Sequence, residues 1–182
     1  MTDVDSGRIL YVIVCGAGPA PHVDRLITLA HGRGWGVCVV PTPAAADFVD
    51  PAALETLTGH PVRSRYRRPG ESRRLPQADA IIVAPATHNT INKWAHGIAD
   101  NYALGLLAEL VPLGVVTAVL PFVNSALAAN PVFERSLDEL RAMGVQVLFG
   151  PGEFEPHPPG TGGTRLDGCP WKSALDAVEG CH

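Results

Sequence analysis

The run Arg8 to Cys15 (RILYVIVC) constrains the fold more than any other stretch, because after its first residue it is apolar without alternation and it stops at Gly16. A strand that faces water on one side alternates polar and apolar positions. One without alternation is buried on both faces, which happens in parallel sheets covered by helices. The residues that follow agree. Pro21 sets φ near the start of a segment in which Val23, Leu26, Ile27 and Ala30 recur at helical spacing. Gly32 and Gly34 close that segment, and Gly36 to Val40 reads as a second strand. This is one βαβ unit, whose right-handed crossover puts the Gly16 turn at the carboxyl edge of the sheet.

The alternation continues along the chain. Ala78 to Ala84 (ADAIIVA), Gly114 to Leu120 and Val145 to Phe149 read as strands, with a long helical stretch from about Ile91 to Glu109 and another over Pro131 to Met143. The expectation is an α/β fold: a doubly wound, mostly parallel sheet in a three-layer sandwich of the flavodoxin or Rossmann kind. Its ligand should lie beyond the carboxyl ends of the strands, at a topological switch point. The 182 residues, 46% of them hydrophobic, suffice for one such domain over 1–182. Two stretches break the pattern and read as loops. Arg63 to Pro76 holds six arginines, and 150–170 is rich in Gly and Pro. The arginines suit a solvated surface, an anionic substrate or a neighbouring subunit.

Lys and Arg number 14 against 18 Asp and Glu, for a net charge of −4, so there is no basic excess to neutralise a phosphate backbone. Nucleic acid and anionic membrane are not expected partners. Every apolar run ends well before the roughly 18 residues of a membrane span, and MTDVDSGR is not signal-like, so a cytoplasmic location is expected. Cys15, Cys38, Cys169 and Cys181 form no C-x-x-C pair. The first two, inside strands, read as small buried hydrophobes, and only Cys169 and Cys181 are candidates for reactivity. His22, His31, His96, His157 and His182 show no metal-ligand spacing and receive no role, and no metal is expected. Trp35 and Trp94 read as packing residues, Trp94 also suiting a subunit interface.

Three turns carry the candidate chemistry. Gly16-Ala17-Gly18 follows the opening strand, where backbone N–H groups and a helix dipole can face a phosphate. The dinucleotide fingerprint needs a third glycine where this chain has Pro21, which argues against NAD or FAD and leaves a mononucleotide or an ordinary tight turn. Thr42 follows the second strand, where its hydroxyl could cap a helix, a phosphate, or both. Pro85, Ala86, Thr87, His88, Asn89 and Thr90 follow the third. All three turns should gather on one edge of the sheet.

At this point the chain resembles the homo-oligomeric flavin-containing cysteine decarboxylases, a family that includes phosphopantothenoylcysteine decarboxylase and the lantibiotic peptidyl-cysteine decarboxylases. The resemblance runs from residue 8 to about 150. It rests on the glycine turn, on Thr42 to Phe48 as the family's Thr/Ser-x-x-A-x-x-F element, and on the following T-G-x-P-V. It rests further on PATHNTINKWAHGIADN at 85–101, similar to P-A-S-A-N-T with N-G-I-x-D-N, and on Pro121-Phe122-Val123-Asn124 with Asn130-Pro131, similar to P-x-M-N and N-P. The resemblance implies FMN, bound near a subunit interface in trimers that can assemble further, and a small-molecule or peptide substrate. Phosphate and ribityl contacts would fall on Gly16, Ala17, Thr42, Thr87 and Asn89, within a cofactor set that also takes in Gly18, Phe48, Pro85, Ala86 and Thr90. Phe48 and Pro85 would lie near the flavin, and Asn124 would face the substrate. Members that decarboxylate pass a hydride equivalent from the cysteine side chain to flavin, and the thioaldehyde then loses CO₂ as an enethiolate.

The departures point the other way. The family's catalytic histidine falls on Glu71, which suits either a base with a raised pKa or a surface ion-pair partner. His88 replaces a small residue in the P-A-S-A-N-T-like turn, putting an imidazole where it could relay protons or face solvent. Val123-Asn124-Ser125-Ala126-Leu127 changes the pocket wall, and the 155–163 loop lacks the A-C-G that holds phosphopantothenoylcysteine. Asn124, Glu71 and His88 are therefore the catalytic candidates. Two alternatives stay open: an FMN-binding or regulatory protein without decarboxylase activity, and a flavin prenyltransferase-like enzyme.

Overall fold

In the computed structural model, which describes residues 7–66, 70 and 75–180, five strands form one sheet in the order β2-β1-β3-β4-β5, every neighbouring pair parallel. The strands are β1 (Ile9–Val14), β2 (Gly36–Pro41), β3 (Ala80–Ala86), β4 (Val116–Pro121) and the short β5 (Gln146–Val147). All six residues of β1 are buried, as its lack of alternation requires. Leu10, Val12 and Val14 enter one core with α1 (Asp24–Gly32), α2 (Pro51–Thr58) and α7 (Trp171–Glu179). Ile9, Tyr11 and Ile13 enter the other, with α3 (His88–Ala95), α4 (Tyr102–Leu110) and α6 (Pro131–Ala142). A single turn, α5 (Ser125–Ala128), precedes α6. The order places the switch point where β1 meets β3, in flavodoxin-like fashion. Among the described residues no helix is long and apolar enough to cross a membrane.

Several boundaries differ from the sequence reading, each for a local reason. The Ile91 to Glu109 stretch is two helices, because Gly97 adopts φ 71 and the Asn101 side chain accepts the Leu104 N–H at 3.0 Å to start α4 afresh. The Ala78 to Ala84 strand ends instead at Ala86, through a cis Ala84–Pro85 bond. The expected Val145 to Phe149 strand pairs only over Gln146–Val147. Besides the single turn α5, two helices appear that hydrophobic periodicity had not picked out. Asp50 starts α2 by accepting the Ala52 and Ala53 N–H groups at 3.0 and 3.2 Å, with Pro51 behind it. The last helix, α7, buries Trp171, Ala174, Leu175 and Val178.

Candidate functional site at the carboxyl edge

Because the sheet order is β2-β1-β3-β4, the turns after these strands stand side by side: Thr42, then Gly16, then Thr87, then Asn124. Gly16 is what allows the first two to touch. A Cβ there would lie 2.4 Å from the Ala44 carbonyl oxygen and 2.8 Å from its carbon, so the Thr42 turn packs where any other side chain would stand. Backbone ties hold the rest: Thr42 N–H donates to Val14 at 2.8 Å, Cys15 N–H to Pro85 at 3.1 Å, and Phe122 N–H to Ala86 at 2.9 Å.

Two cavities flank this line and share Thr87 and Asn89. The larger, about 390 Å³, is walled by the Gly16–Gly18 turn, by His88, by Phe122 to Asn124 and by His157. The smaller, about 280 Å³, is lined by Thr42 to Ala44, Thr90, Lys93, Asp100 and Asn101. Lys93 donates to the Asp100 carboxylate beside it.

The side chains sort by what they already bond. Thr42 is 4% exposed and begins the turn of 43–45, yet its hydroxyl makes no capping bond, leaving the group for whatever enters the smaller cavity. Thr87 does cap: its Oγ1 accepts the Thr90 N–H at 3.3 Å and donates to the Thr90 hydroxyl at 3.1 Å. The Cys15 thiol sits beneath the same two threonines, with burial pushing its pKa up. As first residues of α3, His88 and Asn89 present backbone N–H groups that have no acceptor inside the helix. Asn124 Oδ1 accepts the Leu127 N–H at 2.9 Å, so its amide nitrogen is the donor left to the larger cavity. The His88 ring stacks on Phe133 at 5.2 Å and meets the Asn92 amide at 3.2 Å.

The structure thus brings Gly16, Ala17, Gly18, Thr42, Thr87, His88, Asn89, Thr90 and Asn124 to one edge. Pro85 and Ala86 lie below it in β3, as backbone support. Phe48 stands apart, in a third cavity with Pro21, Asp50 and Leu57. Glu71 lies outside the described residues. Cys169 corrects one expectation: it is 6% exposed and burial pushes its thiol up to about 12, so it is no reactive cysteine; Cys181 lies outside the described residues. His157, given no role from the sequence, lines the larger cavity at 7% exposure. Its spacing within a Gly/Pro-rich loop carries no periodicity that could have signalled burial.

A five-stranded parallel sheet whose adjacent glycine, threonine and helix-start turns line two joined cavities defines a flavodoxin-like protein with a mononucleotide-type edge. The chain belongs to the Flavoprotein family, whose model matches residues 2–163. It is 32% identical over 121 residues to the probable phosphopantothenoylcysteine decarboxylase of Streptococcus mutans, the match covering 63% of this chain and 67% of that one. It is 28% identical over 153 residues to the coenzyme A biosynthesis bifunctional protein CoaBC of Escherichia coli, where it spans 36% of the relative's length. Among solved structures, the FMN-dependent cysteine decarboxylase SpaF superposes with a TM-score of 0.68 at 25% identity, covering 95% of this chain and 98% of that one.

Proposed function

We propose that this chain binds FMN along the carboxyl edge and catalyses oxidative decarboxylation of a cysteine-like group on a small molecule or peptide. The observation that carries the reading is the Thr42 hydroxyl, buried, bonded to no helix end and next to the Gly16 turn. A hydroxyl placed that way suits a phosphate oxygen. Gly16, Ala17, Thr42, Thr87 and Asn89 would hold the phosphate and ribityl chain, with the α3 N-terminus supplying N–H groups and dipole. FMN, when bound, supplies the two-electron acceptor for the cysteine side chain. Asn124 orients the substrate through its free amide nitrogen, and Phe122 and Val123 keep that wall apolar. Membership of the Flavoprotein family and likeness to SpaF support the cofactor assignment.

The visible spectrum of the purified protein, with the released chromophore identified and scored per chain, tests the reading. One FMN per chain is expected, together with CO₂ loss from peptides ending in cysteine. A colourless protein that also fails to take up added FMN overturns it. The same reading carries a homotrimer or larger assembly and a cytoplasmic location; a monomer's molar mass by light scattering would remove the assembly. A second reading, a flavin-binding protein without decarboxylase activity, is favoured by Glu71 at the family's histidine position. Activity gained in Glu71→His, with none in the parent, would establish it.

A further inference from the structure

The stretch that follows β5 lies across the end of the sheet. Ser125 N–H donates to the His157 carbonyl at 2.8 Å, and Asn124 and His157 form a parallel bridge. Phe154 stacks on Phe122 at 6.0 Å, and the Leu166 side chain stands 2.8 Å from where a Cβ on Gly18 would be. Within that cover, the His157 ring sits 4.8 Å from Phe122 and against Gly162, where an added Cβ would come within 3.0 Å of Nε2. The imidazole is therefore clamped by its backbone on one side and by an aromatic ring and a glycine on the other. It lines the same cavity as Asn124 and the Gly16–Gly18 turn. Among the described residues, burial and the Arg165 charge act on the ring, and no hydrogen bond does.

We propose that His157 is the proton acceptor of this site, taking the proton of a substrate thiol. The step is an acid–base one: the S–H bond breaks, its electron pair stays on sulfur, and the proton bonds to a ring nitrogen of His157. Burial and the Arg165 cation hold the ring below the ordinary histidine range, so that at pH 7 it is a neutral base. Among the described residues, Arg165, on its own segment, acts on the ring electrostatically, and His88 is the other titratable side chain lining the cavity. Gly162 has to be small for the ring to keep this place. The proposal rests on the cysteine-decarboxylase reading for the identity of the thiol, and on the geometry alone for the base.

The test uses the FMN-loaded protein, a peptide ending in cysteine, and His157→Gln, with His157→Asn as a second variant and FMN content as the check on folding. Two quantities are read across pH in single turnovers: the rate of flavin reduction and the rate of CO₂ release. In the wild-type protein both rates should rise with pH through a limb below the ordinary histidine range, as the ring loses its proton, and level off above it. Both variants should lose that limb and slow turnover by about 10²–10⁴-fold, while a serine-ended peptide binds them as it binds the wild type. A pH limb that is the same in the wild type and both variants, or a rate loss under about tenfold, overturns the proposal. A wild-type protein that reduces its flavin with this limb but releases no CO₂ overturns the decarboxylase reading and leaves His157 as a base. Failure to bind the cysteine peptide overturns both.

Discussion

Replacing Gly16 by alanine tests whether the edge is built on a close backbone approach. The added Cβ would meet the Ala44 carbonyl oxygen at 2.4 Å, and ordinary contact begins at 3.4 Å, so the Thr42 turn has to retreat by about 1 Å. The obstacle is backbone, which cannot rotate away as a side-chain tip can. Overpacking of this kind costs about 1–3 kcal/mol, or roughly 2–12 °C in the melting temperature of a chain this long. Because the Thr42 hydroxyl moves with the turn, one charge-assisted bond to the ligand is also lost, which weakens FMN binding by about 10–100-fold. Thermal unfolding of the FMN-free protein followed by circular dichroism reads the first effect, and quenching of flavin fluorescence reads the second. Gly32→Ala is the control, since nothing lies within 4 Å of its added Cβ, and it should leave stability unchanged or raise it by up to about 1 kcal/mol. A Gly16→Ala protein that melts within about 1 °C of the wild type and keeps its FMN affinity would refute the argument.

Thr42→Val removes a hydroxyl that caps nothing, so the FMN-free protein should melt within about 1 °C of the wild type while FMN binds about 10–100-fold more weakly in a fluorescence titration. Glu179→Ala should cost about 1–3 kcal/mol at pH 7 by leaving the buried Trp35 N–H, now 2.8 Å from Glu179 Oε1, without an acceptor. The bonds from Trp35 and Arg33 hold the Glu179 carboxyl below the usual range. A depressed carboxylate stabilises above its unfolded-state value and loses that contribution as pH falls through the folded one, so the gap between variant and parent in melting temperature should narrow in acid. In a Cys181→Ser background, the native protein at pH 8 should take up no maleimide, because Cys15, Cys38 and Cys169 are all buried; mass spectrometry reads the label.

The strands were readable because burial on both faces leaves unbroken apolar runs, and β1 and β3 show them most plainly. Their alternation with helices was enough to infer a doubly wound sheet, and the turns after β1, β2 and β3 did gather on one edge. Helix α7 was not readable, because its apolar face is short and follows a Gly/Pro-rich stretch that suggested only loop. The split between α3 and α4 was hidden for the opposite reason: the apolar spacing runs on across Gly97, and only the left-handed backbone there breaks it. His157 was missed because its burial comes from contacts with Phe122 and Ser125, more than thirty residues earlier in the chain, which no local pattern encodes.

The cover over the larger cavity reaches back from beyond β5 to Gly18, so the wall of the site is made from both the opening turn and the closing third of the chain. A nascent chain holding β1 to β4 would already have its glycine and threonine turns but not its roof. A ligand that touches both parts favours only the finished fold, by RT ln(1 + [L]/Kd), about 2.7 kcal/mol at a hundredfold excess over Kd. Occupancy of the cavity and completion of the chain are then one equilibrium, and a protease that nicks the cover should release the ligand before it unravels the sheet.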